Sequence, residues 1–232
     1  MDLRVDPEYY AVHRARFLES FDAEVVHWRS VLAAQCGPEL AAGVLGEARQ
    51  QFVELLAHLP DIGGDENPLT GALVESACYL ALYLVLKRRG WAVEKAAKIM
   101  FDALLVRRSV SRTDIPPAIY LTPGQLMERR KNGAERSLER RYPGDYVYEF
   151  VPGDGVEFDH GYNFLECASL KLYHAWDADE FAPFYCYLDF PKSMLGLQRT
   201  LTLAEGAPFC NHRFKYGRQV KLSWPPPFVK SE

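Results

Sequence analysis

Residues 77–86 read ACYLALYLVL and run directly into Lys87, Arg88 and Arg89. Such a run is about half of the roughly 20 residues that a helix needs to span a bilayer. It must therefore find apolar surroundings inside the protein. Upstream lies DIGGDENPLTG, where Gly63–Gly64 permits a tight turn and Asn67 is a good N-cap. Pro68 suits the first helical position, where its missing N–H is no loss. Gly90 stands where a left-handed C-cap belongs, after three basic residues that complement a helix C-terminus. A buried helix over 68–89 is expected, and a chain that must hide it needs other helices to cover it.

The residues before it supply such cover. Phe17, Phe21, Val25, Trp28 and Leu32 recur at spacings of four and three, and Phe52, Leu55, Leu56 and Leu59 make a second stripe that Pro60 ends. A further helix is expected at about 92–106. Residues 1–112 thus read as a helical lobe. Residues 113–144 read as a connector containing Pro116–Pro117, followed by an exposed helix within PGQLMERRKNGAERSLERRYPGD. Its basic run is mixed with glutamates, which suits a solvated face better than an anionic partner.

From 145 the period changes. YVYEFV alternates as a strand does, VEFDHGYNF offers a second strand, LECASLKLYHAW a helix and YCYLDF a short strand. RTLTLAEG and FCNHRFKYG form the two arms of a hairpin, and WPPPFVK an extended tail laid over the surface. The expected class is α+β: an N-terminal helical lobe, then an α+β lobe at 145–232 with a mostly antiparallel sheet.

A 232-residue chain that is 48% hydrophobic and 25% charged suits one compact domain, or two small lobes sharing a core. Its net charge of -4 is spread along the sequence, which favours neither nucleic acid nor an anionic membrane. A small molecule or another protein is the expected partner, and self-association is left open. The first residues carry charges at 2, 4 and 6 and no secretory apolar run, so a cytoplasmic location is expected. Five cysteines without CxxC spacing argue for reduced thiols.

Chemistry concentrates near the end. On a strand through 210–214, Cys210, His212 and Phe214 share one face, while Asn211 and Arg213 share the other. A thiol beside an imidazole can lose its proton and become a nucleophile; a buried small residue beside a hydrogen-bonded histidine is the plain alternative. In ECASLK a helix would place Cys167 and Lys171 on one face, with Glu166 about 100° away. Asp189 and Glu205 are carboxylates among apolar neighbours, whose pKa values rise if they are desolvated; capping a turn or pairing with arginine is the alternative. His160, before Gly161 at an expected turn, is a further candidate. No paired-ligand spacing links Cys210 and His212 to Cys167, Cys186 or His160, so no metal or other cofactor is expected.

Taken in order, the strings PDIGGDENPLTG, LYLVLKRRG, YNFLECASLKLYHAWDADEFAPFYCYLDF and QRTLTLAEGAPFCNHRFKYG resemble the L-2-amino-thiazoline-4-carboxylic acid hydrolase family, over about residues 50–216. The resemblance implies a bacterial, cytoplasmic hydrolase with a helical front half and an α+β back half. It implies addition of water to a cyclic isothiourea carbon, with opening of the five-membered ring. Such chemistry needs a proton for the ring nitrogen, a nucleophile for the carbon and a cation for the substrate carboxylate. The expected nucleophile is Cys210 or Cys167, and the expected proton-transfer groups are His212, Glu205 and Asp189. Arg213 is the expected carboxylate anchor, with His160, Asn211, Glu166 and Lys171 as further substrate contacts. The family more often has aspartate and an aromatic residue where Asn211 and His212 stand, and an acid where Asn163 stands. These departures widen the expected substrate to another cyclic amidine, imine or lactam.

Overall fold

A computed structural model describes residues 4–110, 123–193 and 196–229. Five helices come first: α1 (Pro7–Val12), α2 (Arg14–Cys36), α3 (Pro38–Leu56), α4 (Thr70–Arg88) and α5 (Val93–Val110). Gly37, at φ 84°, breaks the chain between α2 and α3, and Pro38 then opens α3. The expected stripe Phe17, Phe21, Val25, Trp28 and Leu32 is buried along α2. Phe21 stacks on Phe52 of α3 at 5.0 Å, and Trp28 meets Tyr79 of α4 edge-on at 5.4 Å. α4 is buried without interruption from Ser76 to Leu86. Each large apolar side chain so enclosed stabilises the fold by about 1.5–3 kcal/mol. Among the described residues α4 is also the one helix long and apolar enough to cross a membrane, and 78% of that window is buried inside the molecule.

The second part is a helix, a sheet and short helical turns. α6 (Pro123–Leu138) is largely exposed and leads to β1 (Val147–Pro152) and β2 (His160–Glu166). Next come α7 (Ala168–Ala175), α8 (Ala182–Tyr187), α9 (Asp189–Lys192), β3 (Leu197–Gln198) and β4 (Cys210–Phe214). The four strands run β1-β2-β4-β3, antiparallel throughout. The α+β reading therefore holds. One hydrophobic core runs through both parts. Tyr83 of α4 stacks on Phe181 at 4.4 Å, and the Tyr173 hydroxyl of α7 donates to the Ser76 carbonyl of α4 at 3.1 Å.

Several local expectations are corrected. α4 begins at Thr70 rather than 68, with Asn67 still accepting from the Leu69 amide at 2.9 Å. α3 stops at Leu56, short of Leu59. YCYLDF is helical, not a strand: Phe184, Tyr185, Cys186 and Tyr187 are all buried, so the run has no exposed face from which to read a period. Leu165 and Glu166 belong to β2, and Cys167 is the N-cap of α7 rather than a helical residue. His160 is buried at the start of β2, not in a turn. RTLTLAEG, residues 199–206, is not a strand: β3, Leu197–Gln198, ends just before it, and Leu203–Glu205 form a 3-10 turn. Among its described residues the tail has no helix or strand and lies over the surface as expected, fastened there by Trp224 and Phe228, which pack on Phe184, and by the Tyr187 hydroxyl, which donates to the Ser223 carbonyl at 2.6 Å. The Pro116–Pro117 connector at 113–122 lies outside the described residues.

Candidate functional site

Between α4 and α5 on one side and the sheet on the other lies a cavity of about 490 Å³. α4 contributes Glu75 and α5 contributes Arg107. The inner face of the sheet contributes Phe164, Cys210, His212 and Phe214, which alternate inward along β2 and β4. The segment through α7 to α9 adds Cys167, Cys186, Asp189 and Lys192, and Arg199 enters just after β3. Three of the five cysteines thus border one space.

Charged groups in its wall form a chain. Glu75 faces Lys192 at 3.2 Å, Lys192 faces Asp189 at 3.3 Å, and Arg199 Nη1 donates to Asp189 Oδ2 at 2.9 Å. Arg199 Nη1 also lies 2.9 Å from His212 Nε2, and its Nη2 donates to the Cys186 carbonyl. The Arg199 side chain is only 3% exposed, and its Nε is buried without a partner, the one donor this arrangement leaves unmet. Its guanidinium lies over the Phe190 ring at 5.2 Å.

These contacts set the protonation states. Burial alone would push Asp189 up, but Lys192 and Arg199 outweigh it and hold the carboxyl below its ordinary range. Asp189 is therefore a carboxylate at neutral pH, paired with arginine as the alternative reading has it rather than raised by desolvation. His212 is driven down to about 3 by burial and then by the Arg199 charge, so it is neutral. Burial pushes Cys210 up, opposed by the Leu203 amide, which donates to its sulfur at 3.1 Å, and by Arg199. Burial likewise raises Cys167 to about 11 and Cys186 well above the usual thiol range. At rest Cys210 is a buried thiol beside a hydrogen-bonded, neutral histidine, the plain alternative of the two readings, rather than an activated thiolate.

The structure brings Cys210, His212, Cys167 and Asp189 to the cavity and leaves the other expected residues outside its wall. Glu205 accepts from the Thr202 hydroxyl at 2.7 Å in a 3-10 turn. Arg213 lies on the outer sheet face, donating to the Tyr162 carbonyl and Asn163 Oδ1 at 3.0 and 2.9 Å. Gly161 makes room for it, since a Cβ there would meet Arg213 Cδ at 2.7 Å. The expected convergence of Cys210, Glu205 and Arg213 thus fails, because strand alternation separates Arg213 from Cys210. Asn211 accepts from the Thr200 and Leu201 amides at 2.9 and 2.7 Å and fastens that loop. Glu166 pairs with Arg140 and Lys171, and Lys171 also donates to the Pro143 and Asp145 carbonyls. Lys171 is therefore spent on structure rather than on Cys167. His160 stacks on Phe214 at 4.9 Å, and burial with the nearby Arg130 charge lowers it to about 4.

Glu75, Arg107, Lys192 and Arg199 were not foreseen. Glu75 is the lone charge in the apolar stretch from 70 to 86, a signal that was open to reading. Among the described residues no three His, Cys, Asp or Glu side chains gather as a metal-ligand group. No protein-family model, curated protein or solved structure gives a significant match to the chain. None of these comparisons bears on the family resemblance.

Proposed function

We propose that the chain is a hydrolase that opens a small cyclic amidine, imine or lactam in this cavity, without a cofactor. The observation that carries the reading is the convergence of Cys210 and Asp189 on one space of about 490 Å³, a size that suits a single substituted ring. A thiol kept neutral at rest fits a substrate that is itself a base. Cys210 gives its proton to the ring nitrogen, and its sulfur bonds to the amidine carbon. The ring C–N bond then breaks, and water adds to the sulfur-linked adduct and restores the thiol, for a net gain of one water. The Leu203 amide and the Arg199 charge favour the developing thiolate, and the Asp189 carboxylate takes the proton of the attacking water. In place of Arg213, Arg107 anchors a substrate carboxylate; at 46% it is the most exposed of the cavity's cations. A cytoplasmic setting, where thiols stay reduced, agrees with five free cysteines.

The upward push on all three cavity thiols favours a second reading, a module that only holds the small molecule. The test is incubation with 2-aminothiazoline-4-carboxylate and a panel of cyclic amidines and lactams. Mass spectrometry follows a gain of 18 Da, beside Cys210→Ser and Asp189→Asn. Ring opening by the wild type, reduced at least about 100-fold in both variants, is the expected outcome. Binding seen by calorimetry with no mass gain would transfer the site to the binding reading.

A further inference from the structure

His212 Nε2 and Arg199 Nη1 are 2.9 Å apart, a hydrogen-bond distance. A guanidinium has only donors and keeps its protons throughout the accessible pH range, so the imidazole nitrogen must be the acceptor. Nε2 is then unprotonated, and the proton of the neutral ring sits on Nδ1. Arg199 cannot turn away to relieve this. Asp189 Oδ2 holds the same Nη1, the Cys186 carbonyl holds Nη2, and Phe190 lies beneath the guanidinium plane.

We infer that Arg199 is a positioning residue that fixes His212 as the neutral Nδ1–H tautomer, so that this histidine can donate within the cavity wall and cannot accept a proton there. The register of the hairpin explains how the pair forms. Leu197 lies opposite Phe214 and Gln198 opposite Arg213, so the next residue, Arg199, falls opposite His212 on the inward face. Burial, Arg199 and Arg213 oppose a positive imidazole and together outweigh Asp189, which favours one, so the ring stays neutral. The flanking rings, Phe164 at 4.9 Å and Phe214 at 6.3 Å, carry no charge. The catalytic meaning rests on the hydrolase reading: a base at this site must be Asp189 or the substrate, not His212. The tautomer itself does not depend on turnover.

The test uses histidine labelled with ¹⁵N in the full chain without substrate, with the His212 signals identified by their loss in His212→Gln. At neutral pH the long-range proton–nitrogen correlation should show a protonated Nδ1 and an unprotonated Nε2, unchanged down to pH 5. A proton on Nε2, or on both nitrogens, would overturn the inference. Arg199→Met should release the ring, giving a mixture of tautomers and a titration midpoint moved up toward the ordinary histidine range. Arg199→Lys, which keeps a donor, should restore the Nδ1–H pattern. A wild-type pattern in Arg199→Met would show that burial alone sets the tautomer and would also overturn it. Should Arg199→Met not fold, the wild type and Asp189→Asn decide: both retain the Arg199 donor, and both must show Nδ1–H. Because substrate is absent, a chain that turns nothing over can still show this pattern, so the two readings fail separately.

Discussion

Two histidines on the inner face of the sheet sit beside arginines. Arg199 lies against His212, and Arg130 lies 3.5 Å from His160 Nδ1. An unfolded chain protonates histidine near pH 6.5, whereas the folded chain holds His160 to about 4 and His212 to about 3. Between those values the unfolded state binds more protons, so stability must fall as pH falls through that window. Each such histidine adds up to about 1.4 kcal/mol per pH unit to the slope. The depressed Asp189 acts elsewhere, since its support is complete above the unfolded carboxylate value and is lost only below it. Urea midpoints at pH 7, 6 and 5 should therefore drop in the wild type, and drop clearly less in a His160→Gln, His212→Gln double variant. Equal slopes would mean that neither ring is held neutral. Strand alternation made Cys210 and His212 legible as a pair, but their protonation was not. It depends on Arg199, a residue thirteen positions from His212 that reaches it only across the hairpin.

The hairpin itself shows what sequence leaves open at the level of an element. The second arm is where alternation puts it, but the expected first arm, residues 199–206, is not strand, and β3 ends before it at Gln198. Beyond it, the Asn211 side chain takes the Thr200 and Leu201 amides, and Asn211 Nδ2 donates to the Thr200 hydroxyl at 2.8 Å. A side chain thus replaces strand pairing and holds the backbone that directly follows Arg199. Asn211→Ala should cost about 2 kcal/mol in urea unfolding, for the loss of several net hydrogen bonds. Asn211→Asp keeps both acceptor contacts and loses only the donor, so its cost should stay under about 1 kcal/mol. An alanine variant as stable as the wild type would remove Asn211 from this role. α8 was harder to foresee for a different reason. Its aromatic residues are buried all round, and a segment buried on every face carries neither the period of a strand nor that of a helix. Pro183 in its first turn was the available sign, because proline opens helices well and interrupts central strands.

At the scale of the whole molecule, the change of period near residue 145 separates two kinds of secondary structure but does not separate two cores. α4 is the reason. Its front faces α2 and α3, while its back receives Phe181 on Tyr83 and the Tyr173 hydroxyl on the Ser76 carbonyl. The cavity wall is likewise shared, with Glu75 and Arg107 from the front half and Asp189, Lys192 and Cys210 from the back. A helix apolar on nearly all sides cannot be covered by one partner layer, so the front half alone would leave much of α4 in water. Unfolding should then be a single event. In single-tryptophan variants, Trp28 in α2 and Trp224 in the C-terminal segment should report the same urea midpoint as far-UV circular dichroism. A compound that fills the cavity should raise both midpoints together, by about 2.7 kcal/mol of stability at a hundred times its Kd. Two separated transitions, with only the Trp224 signal moved by ligand, would mean that the halves fold independently and that α4 is covered without its C-terminal neighbours.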